Sequence, residues 1–124
     1  MHCVGVDIIE IDRINRIIKR WGDRFLQRIY SERELRICRQ KPWRLAARFA
    51  GKEAVMKALG TGVRGISWRE IEISAEPSGK PLVNLYGKAQ IKAEDLGLKQ
   101  LAISLSDTRE HAIAFVVGEV KPEA

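Results

Sequence analysis

A chain of 124 residues, 45% of them hydrophobic, has material for one core and no room for two, so a single compact domain spanning 1–124 is expected. No apolar run approaches bilayer length, Cys3 and Cys38 match no zinc or redox spacing, and Met1 leads into a strand-like run with no secretory signal. Membrane-spanning, disulfide-stapled and secreted classes are thereby set aside, and a soluble cytoplasmic protein with reduced, buried thiols is expected. The net charge of +6 is regional: from Arg13 to Lys52 thirteen basic residues face three acidic ones, a field that attracts an anionic partner without saying which kind.

In chain order, Cys3 to Ile9 is mostly β-branched or small and reads as a first strand, with Asp7 its unexpected member. Ile11, Ile14, Ile17, Ile18 and Trp21 recur at helical spacing, and basic residues fill other positions as far as Gly22. After a second segment, Arg24 to Ile29, Ser31 followed three residues later by Glu34 forms a capping box and starts another helix. Pro42 opens the longest helix, which runs through Trp43 to Leu59 and ends in Gly60-Thr61-Gly62-Val63-Arg64-Gly65. Ile71 to Ser74 and Pro81 to Leu85 flank a Pro77-Ser78-Gly79-Lys80 turn as a hairpin. A short helix from Ala89 to Leu96, closed by Gly97, and two strands, Gln100 to Ser106 and His111 to Val120, complete an α+β fold. A mainly antiparallel sheet packed against one long helix is the expected architecture.

Three groups of residues carry possible chemistry. Asp7, followed by Glu10, could hold a hard cation from the end of a strand, since magnesium takes few protein oxygens; it could equally cap the helix that begins near Ile11. Glu53 and Lys57 stand one turn apart on the long helix and share a face, as do Arg48 and Lys52 on an adjacent one; a solvated Glu-to-Lys pair is the plain alternative. Gly60 to Gly65 spells the dinucleotide fingerprint but follows a helix where that motif must precede one, so a helix-ending glycine turn is favoured, with phosphate contact still open. His2 and His111 read as surface or edge residues, and Trp21, Trp43 and Trp68 as core or interface anchors.

Gly5-Val6-Asp7-Ile8-Ile9-Glu10 together with Arg48-Phe49-Ala50-Gly51-Lys52-Glu53-Ala54-Val55-Met56-Lys57-Ala58-Leu59-Gly60-Thr61-Gly62 resembles the paired signatures of the phosphopantetheinyl transferase superfamily. The short length resembles its small bacterial branch, the holo-acyl-carrier-protein synthases. The resemblance implies transfer of 4′-phosphopantetheine from coenzyme A to a serine of an acidic acyl carrier protein, in fatty acid biosynthesis, with release of adenosine 3′,5′-bisphosphate. It implies that Asp7 and Glu53 hold Mg²⁺ and that Lys57 sits beside the coenzyme A phosphates. Glu53, directly or through a metal-bound water, is the first candidate for base and Asp107 the second, although many members carry histidine where Asp107 falls. By the same resemblance Arg48, Lys52, Gly60, Thr61, Gly62, Gly79, Lys80 and Pro81 contact coenzyme A. Arg13, Ile17, Arg20, Arg24 and Phe25 dock the carrier, with charges steering and apolar anchors holding. The branch forms homotrimers with sites between protomers, in line with the small size of the chain. The competing readings are a transferase for another carrier domain and a small basic nucleic-acid-binding module. The latter leaves Asp7, Glu53 and Lys57 unexplained and has no aromatic-rich RNA-binding strand.

Overall fold

The structure, a computed structural model, describes residues 1–60 and 64–121. Strand β1 (His2–Glu10) passes directly into helix α1 (Ile11–Trp21), and α2 (Asp23–Ile29) follows after Gly22, whose positive φ of 56° turns the chain between them. Helix α3 (Glu32–Cys38) starts at the expected capping box: the Ser31 hydroxyl accepts from the Glu34 amide at 3.2 Å, and the Glu34 carboxylate accepts from the Ser31 amide at 2.9 Å. Helix α4 (Pro42–Leu59) has proline at its first position and ends at Gly60, whose left-handed φ of 78° lets its amide donate to the Met56 and Lys57 carbonyls. The Gly60 turn is thus a helix stop, as its place in the sequence suggested; Thr61 and Gly62 lie outside the described residues.

A short 3-10 helix, Trp68–Glu70, which the sequence reading passed over, leads into the antiparallel hairpin of β2 (Ile71–Ala75) and β3 (Pro81–Leu85). Helix α5 (Gly87–Asp95) begins two residues earlier than expected, because the Glu70 carboxylate accepts from the Lys88 and Ala89 amides and so caps it from a distance. Strands β4 (Leu98–Asp107) and β5 (His111–Val120) form the last hairpin.

The antiparallel architecture is divided in two. One sheet has the order β1-β5-β4 and the other consists of β2 and β3 alone. Within the first, the register places Cys3, Gly5, Asp7 and Ile9 on the face shared with Ala112, Ala114 and Val116, all three fully buried. Helix α4 lies against that face, so Asp7 points from the sheet toward the long helix. Gly5 permits the approach: a Cβ there would overlap the Ala54 carbonyl and stand 3.0 Å from the Ala58 amide nitrogen. The opposite face carries Val4, Val6, Ile8, Ile113 and Phe115, all exposed.

Candidate active site

Three of the residues expected to act meet where β1 crosses α4. The Lys57 ammonium donates to the Asp7 Oδ1 at 2.9 Å and to the Val6 carbonyl at 3.0 Å. The Asp7 side chain is only 11% exposed while that of Lys57 is 56% exposed, so the carboxylate is sunk and the ammonium reaches outward. Glu53, one turn before Lys57, stands near enough to Asp7 for the two carboxyl groups to act on each other. Its carboxyl is pushed up to about 7, first by burial, then by the charge of Asp7; Lys57 and Arg13 pull the other way. Two carboxylates, one nearly sunk, therefore compete for one nearby lysine.

Asp7 is accordingly no helix cap. The residue at the α1 N-cap is Glu10, which makes no side-chain cap bond. Nor do Glu53 and Lys57 form a simple solvated pair, since the close ion pair of Lys57 is with Asp7. The hard-oxygen pair Asp7–Glu53 fits a small divalent cation: one would relieve the like-charge crowding that raises Glu53.

Other assigned residues fall elsewhere. Lys52 is a correction: its side chain is fully buried, and its ammonium is held by the Glu34 carboxylate at 2.8 Å, the Trp68 carbonyl at 3.1 Å and the Ile71 carbonyl. A cation committed in this way does not reach a phosphate at the surface. Burial lowers its pKa, and the Glu34 charge opposes that. Arg48, one turn earlier on the same face and only 8% exposed, is likewise turned inward, with its Nε on the Ile73 carbonyl at 3.2 Å. The shared face of these two cations was legible from their spacing; that it is the core face was not.

The Gly79-Lys80-Pro81 turn is closed by Gly79 donating to the Glu76 carbonyl and Glu76 donating to the Lys80 carbonyl, both at 2.8 Å. Strand β2 runs along α4 with Ile71 level with Lys52 and Ile73 level with Arg48. The turn therefore continues toward the N-terminal end of α4, away from Lys57 in the same chain. Asp107, exposed at the end of β4, sits opposite Ala112 and so has β5 between it and β1. Two strand spacings put it roughly 10 Å across the sheet from β1. Within one chain, neither joins Asp7 and Glu53.

Of the five residues expected to dock a carrier, three share one groove. Ile17, Arg24 and Phe25 line a groove of about 450 Å³ with Trp21 and Arg28, two residues the sequence reading left out of this surface. Part of their signal was present: Trp21 is one helical turn from Ile17 on α1, and Arg28 one turn from Arg24 on α2. Trp21 is half-exposed beneath the Arg20 guanidinium, which lies 5.2 Å from its ring centre. Phe25 turns its other side into the core, 6.2 Å from Tyr30 and 6.3 Å from Phe49, and Phe49 stacks on Trp68 at 4.9 Å. Arg13 is exposed on α1 and extends its influence to Glu53. Both thiols are free; Cys38 is buried, its pKa pushed up to about 11 by that burial, whereas Cys3 is only half-buried.

A β1 carboxylate and an α4 Glu-Lys pair thus converge on one point of the fold. The profile of the 4′-phosphopantetheinyl transferase superfamily matches residues 3–116, and the chain belongs to that superfamily. It is 50% identical to a holo-[acyl-carrier-protein] synthase of Herpetosiphon aurantiacus, over 95% of this chain and 98% of that one, and 53% identical to one of Dehalococcoides mccartyi, over 96% and 99%. Among solved structures, the Helicobacter pylori holo-[acyl-carrier-protein] synthase in complex with coenzyme A superposes with a TM-score of 0.86 at 36% identity, covering 94% of this chain and 99% of that one. The Neisseria meningitidis synthase gives 0.83 at 41% identity, over 94% and 97%.

Proposed function

We infer that this chain is a holo-[acyl-carrier-protein] synthase: it transfers 4′-phosphopantetheine from coenzyme A to a serine of apo-acyl carrier protein. The observation that carries this reading is the meeting of Asp7, Glu53 and Lys57 at the crossing of β1 and α4, in a chain alike along nearly its whole length to synthases of that name. The serine oxygen attacks the phosphorus attached to pantetheine. The bond from that phosphorus to the bridging oxygen of the pyrophosphate breaks, and adenosine 3′,5′-bisphosphate leaves.

Phosphoryl transfer gains mostly from positioning and charge neutralisation, and Lys57, exposed yet tethered to Asp7, supplies a cation for the phosphates. The serine must lose its proton, and Glu53, the carboxyl group beside Asp7 and Lys57, is the residue placed to take it as the serine attacks. Asp7 and Glu53 would hold magnesium, which when bound would neutralise charge on the pyrophosphate. Asp107 and the Gly79-Lys80-Pro81 turn act, in this reading, only where a second copy completes the site.

Two further features support the finer reading. The groove of Ile17, Trp21, Arg24, Phe25 and Arg28 joins apolar and cationic contacts on one face, suited to a small acidic helical carrier. The exposed apolar face of Val4, Val6, Ile8, Ile113 and Phe115 suits burial against copies of the same chain, in line with a homotrimer. Among the described residues no helix is long and apolar enough to cross a membrane. We place the protein in the cytoplasm, in fatty acid biosynthesis. Incubation with coenzyme A, magnesium and apo-carrier, followed by intact-mass measurement of the carrier, tests the assignment; a carrier that never gains the phosphopantetheine mass would overturn it.

A further inference from the structure

From Leu45 to Leu59, every residue of α4 is buried except Glu53 and Lys57. Small residues, among them Ala46, Ala47, Ala50, Gly51, Ala54 and Ala58, are spread around the helix, so the apolar pattern does not specify which side faces the sheet. Directional contacts must set the rotation, and the strongest belong to the residue just before Glu53. Lys52 spends all three ammonium donors on groups from three elements: Glu34 of α3, the Trp68 carbonyl of the 3-10 helix and the Ile71 carbonyl of β2.

Glu34 is equally committed. One carboxylate oxygen accepts from Lys52 and the Ser31 amide, and the other accepts from the Ile73 amide at 2.7 Å. Buried ion pairs contribute little net stability over apolar replacements, but each bond has one direction. Consecutive helical residues are turned by about 100°, so clamping Lys52 toward α3 and β2 also aims Glu53 and Lys57 at Asp7.

We propose that the buried Glu34–Lys52 pair is a positioning device for transfer, holding the rotation of α4 at which Glu53 and Lys57 meet Asp7. The proposal rests on the transferase reading. Neither residue touches substrate; both act through the carboxylate and the ammonium of the adjacent turn. Displacements of about 1 Å at a reacting centre cost up to about a hundredfold in rate, so a small rotation is enough to matter.

The test is the paired variant Glu34→Gln with Lys52→Met, which removes both charges together and leaves neither buried alone. Kinetics are scored per folded molecule, with folding checked by cooperative thermal unfolding. The expected result is a kcat lower by about tenfold or more and a carrier KM within about twofold, because the carrier docks on α1 and α2. Lys57→Ala should also cost far less in the paired background than in the parent, since Lys57 is already misplaced there.

A merely stabilising pair would leave kcat per folded molecule within about twofold of the parent and the Lys57→Ala cost undiminished, and that result overturns the proposal. If the paired variant does not fold, Glu34→Asp decides, because it keeps the charge and withdraws the anchor by one methylene. Lowered kcat supports the proposal and full kcat overturns it. Ser31→Ala, which removes the other half of the capping box and leaves Lys52 paired, should lower the melting temperature without changing kcat. Turnover by the parent, measured first, tests the assigned activity separately.

Discussion

Glu53 ties catalysis and stability to the same carboxyl. Its pKa in the fold, about 7, stands above the ordinary 4.5, so between those values the folded state binds more protons than the unfolded chain. This favourable contribution is fully present below about pH 4.5 and is lost as pH rises through about 7. Glu53→Gln should therefore raise the melting temperature above that of the parent at about pH 8 and match it near pH 4, while transfer falls by about a hundredfold or more. Magnesium should raise the melting temperature of the parent at pH 8 and not that of the variant; equal shifts would remove Glu53 from the metal site. Gly5 matters for a steric reason. Gly5→Ala would set a methyl group against the Ala54 carbonyl and push β1 from α4, costing about 1–3 kcal/mol by overpacking and parting Asp7 from Glu53. Denaturant titration reads the first effect, and turnover of the folded variant the second.

At the scale of elements, the helices at the start of the chain were readable because their signals are local. The capping box of Ser31 and Glu34 forms as spaced, and Pro42 and Gly60 bound α4 as their chemistry requires. What α1 and α2 build together was only half readable, since Trp21 and Arg28 join the groove by virtue of the bend at Gly22. Trp21→Ala should raise the KM for carrier by about tenfold while leaving that for coenzyme A nearly unchanged, as large aromatic anchors dominate such contacts. Arg13→Glu combined with Arg24→Glu should act in the same direction, and added salt should weaken carrier binding to the parent more than to that variant. Equal changes in both Michaelis constants would dissociate the groove from docking.

For the whole molecule, one sheet face is covered by α4 and the other is left apolar and bare. Val6 and Phe115 are cross-strand neighbours at its centre, both about half exposed. Val6→Lys with Phe115→Lys places like charges side by side there; where the parent sediments as the proposed trimer, the variant should sediment as a monomer with helix and strand content retained. Transfer should be lost with assembly if Asp107 and the Gly79-Lys80-Pro81 turn serve a neighbour's site; full activity in a monomer would remove that role.

By itself the sequence determined the strands and helices in their order and the carboxylate, lysine and glycine signatures that point to phosphate chemistry, because caps, turns and periodicity act over a few residues. The tertiary structure decided which side of α4 is inside. The family resemblance assigned Arg48 and Lys52 to coenzyme A, and their spacing said only that they share a helix face. They are interior because Glu34 and the carbonyls of Ile71 and Ile73 reach them from distant parts of the chain, and a cation buried with partners cannot be told from an exposed one by its local neighbours. The division into two sheets and the meeting of Asp7 with Glu53 arise in the same way, from long-range contacts that no short window contains.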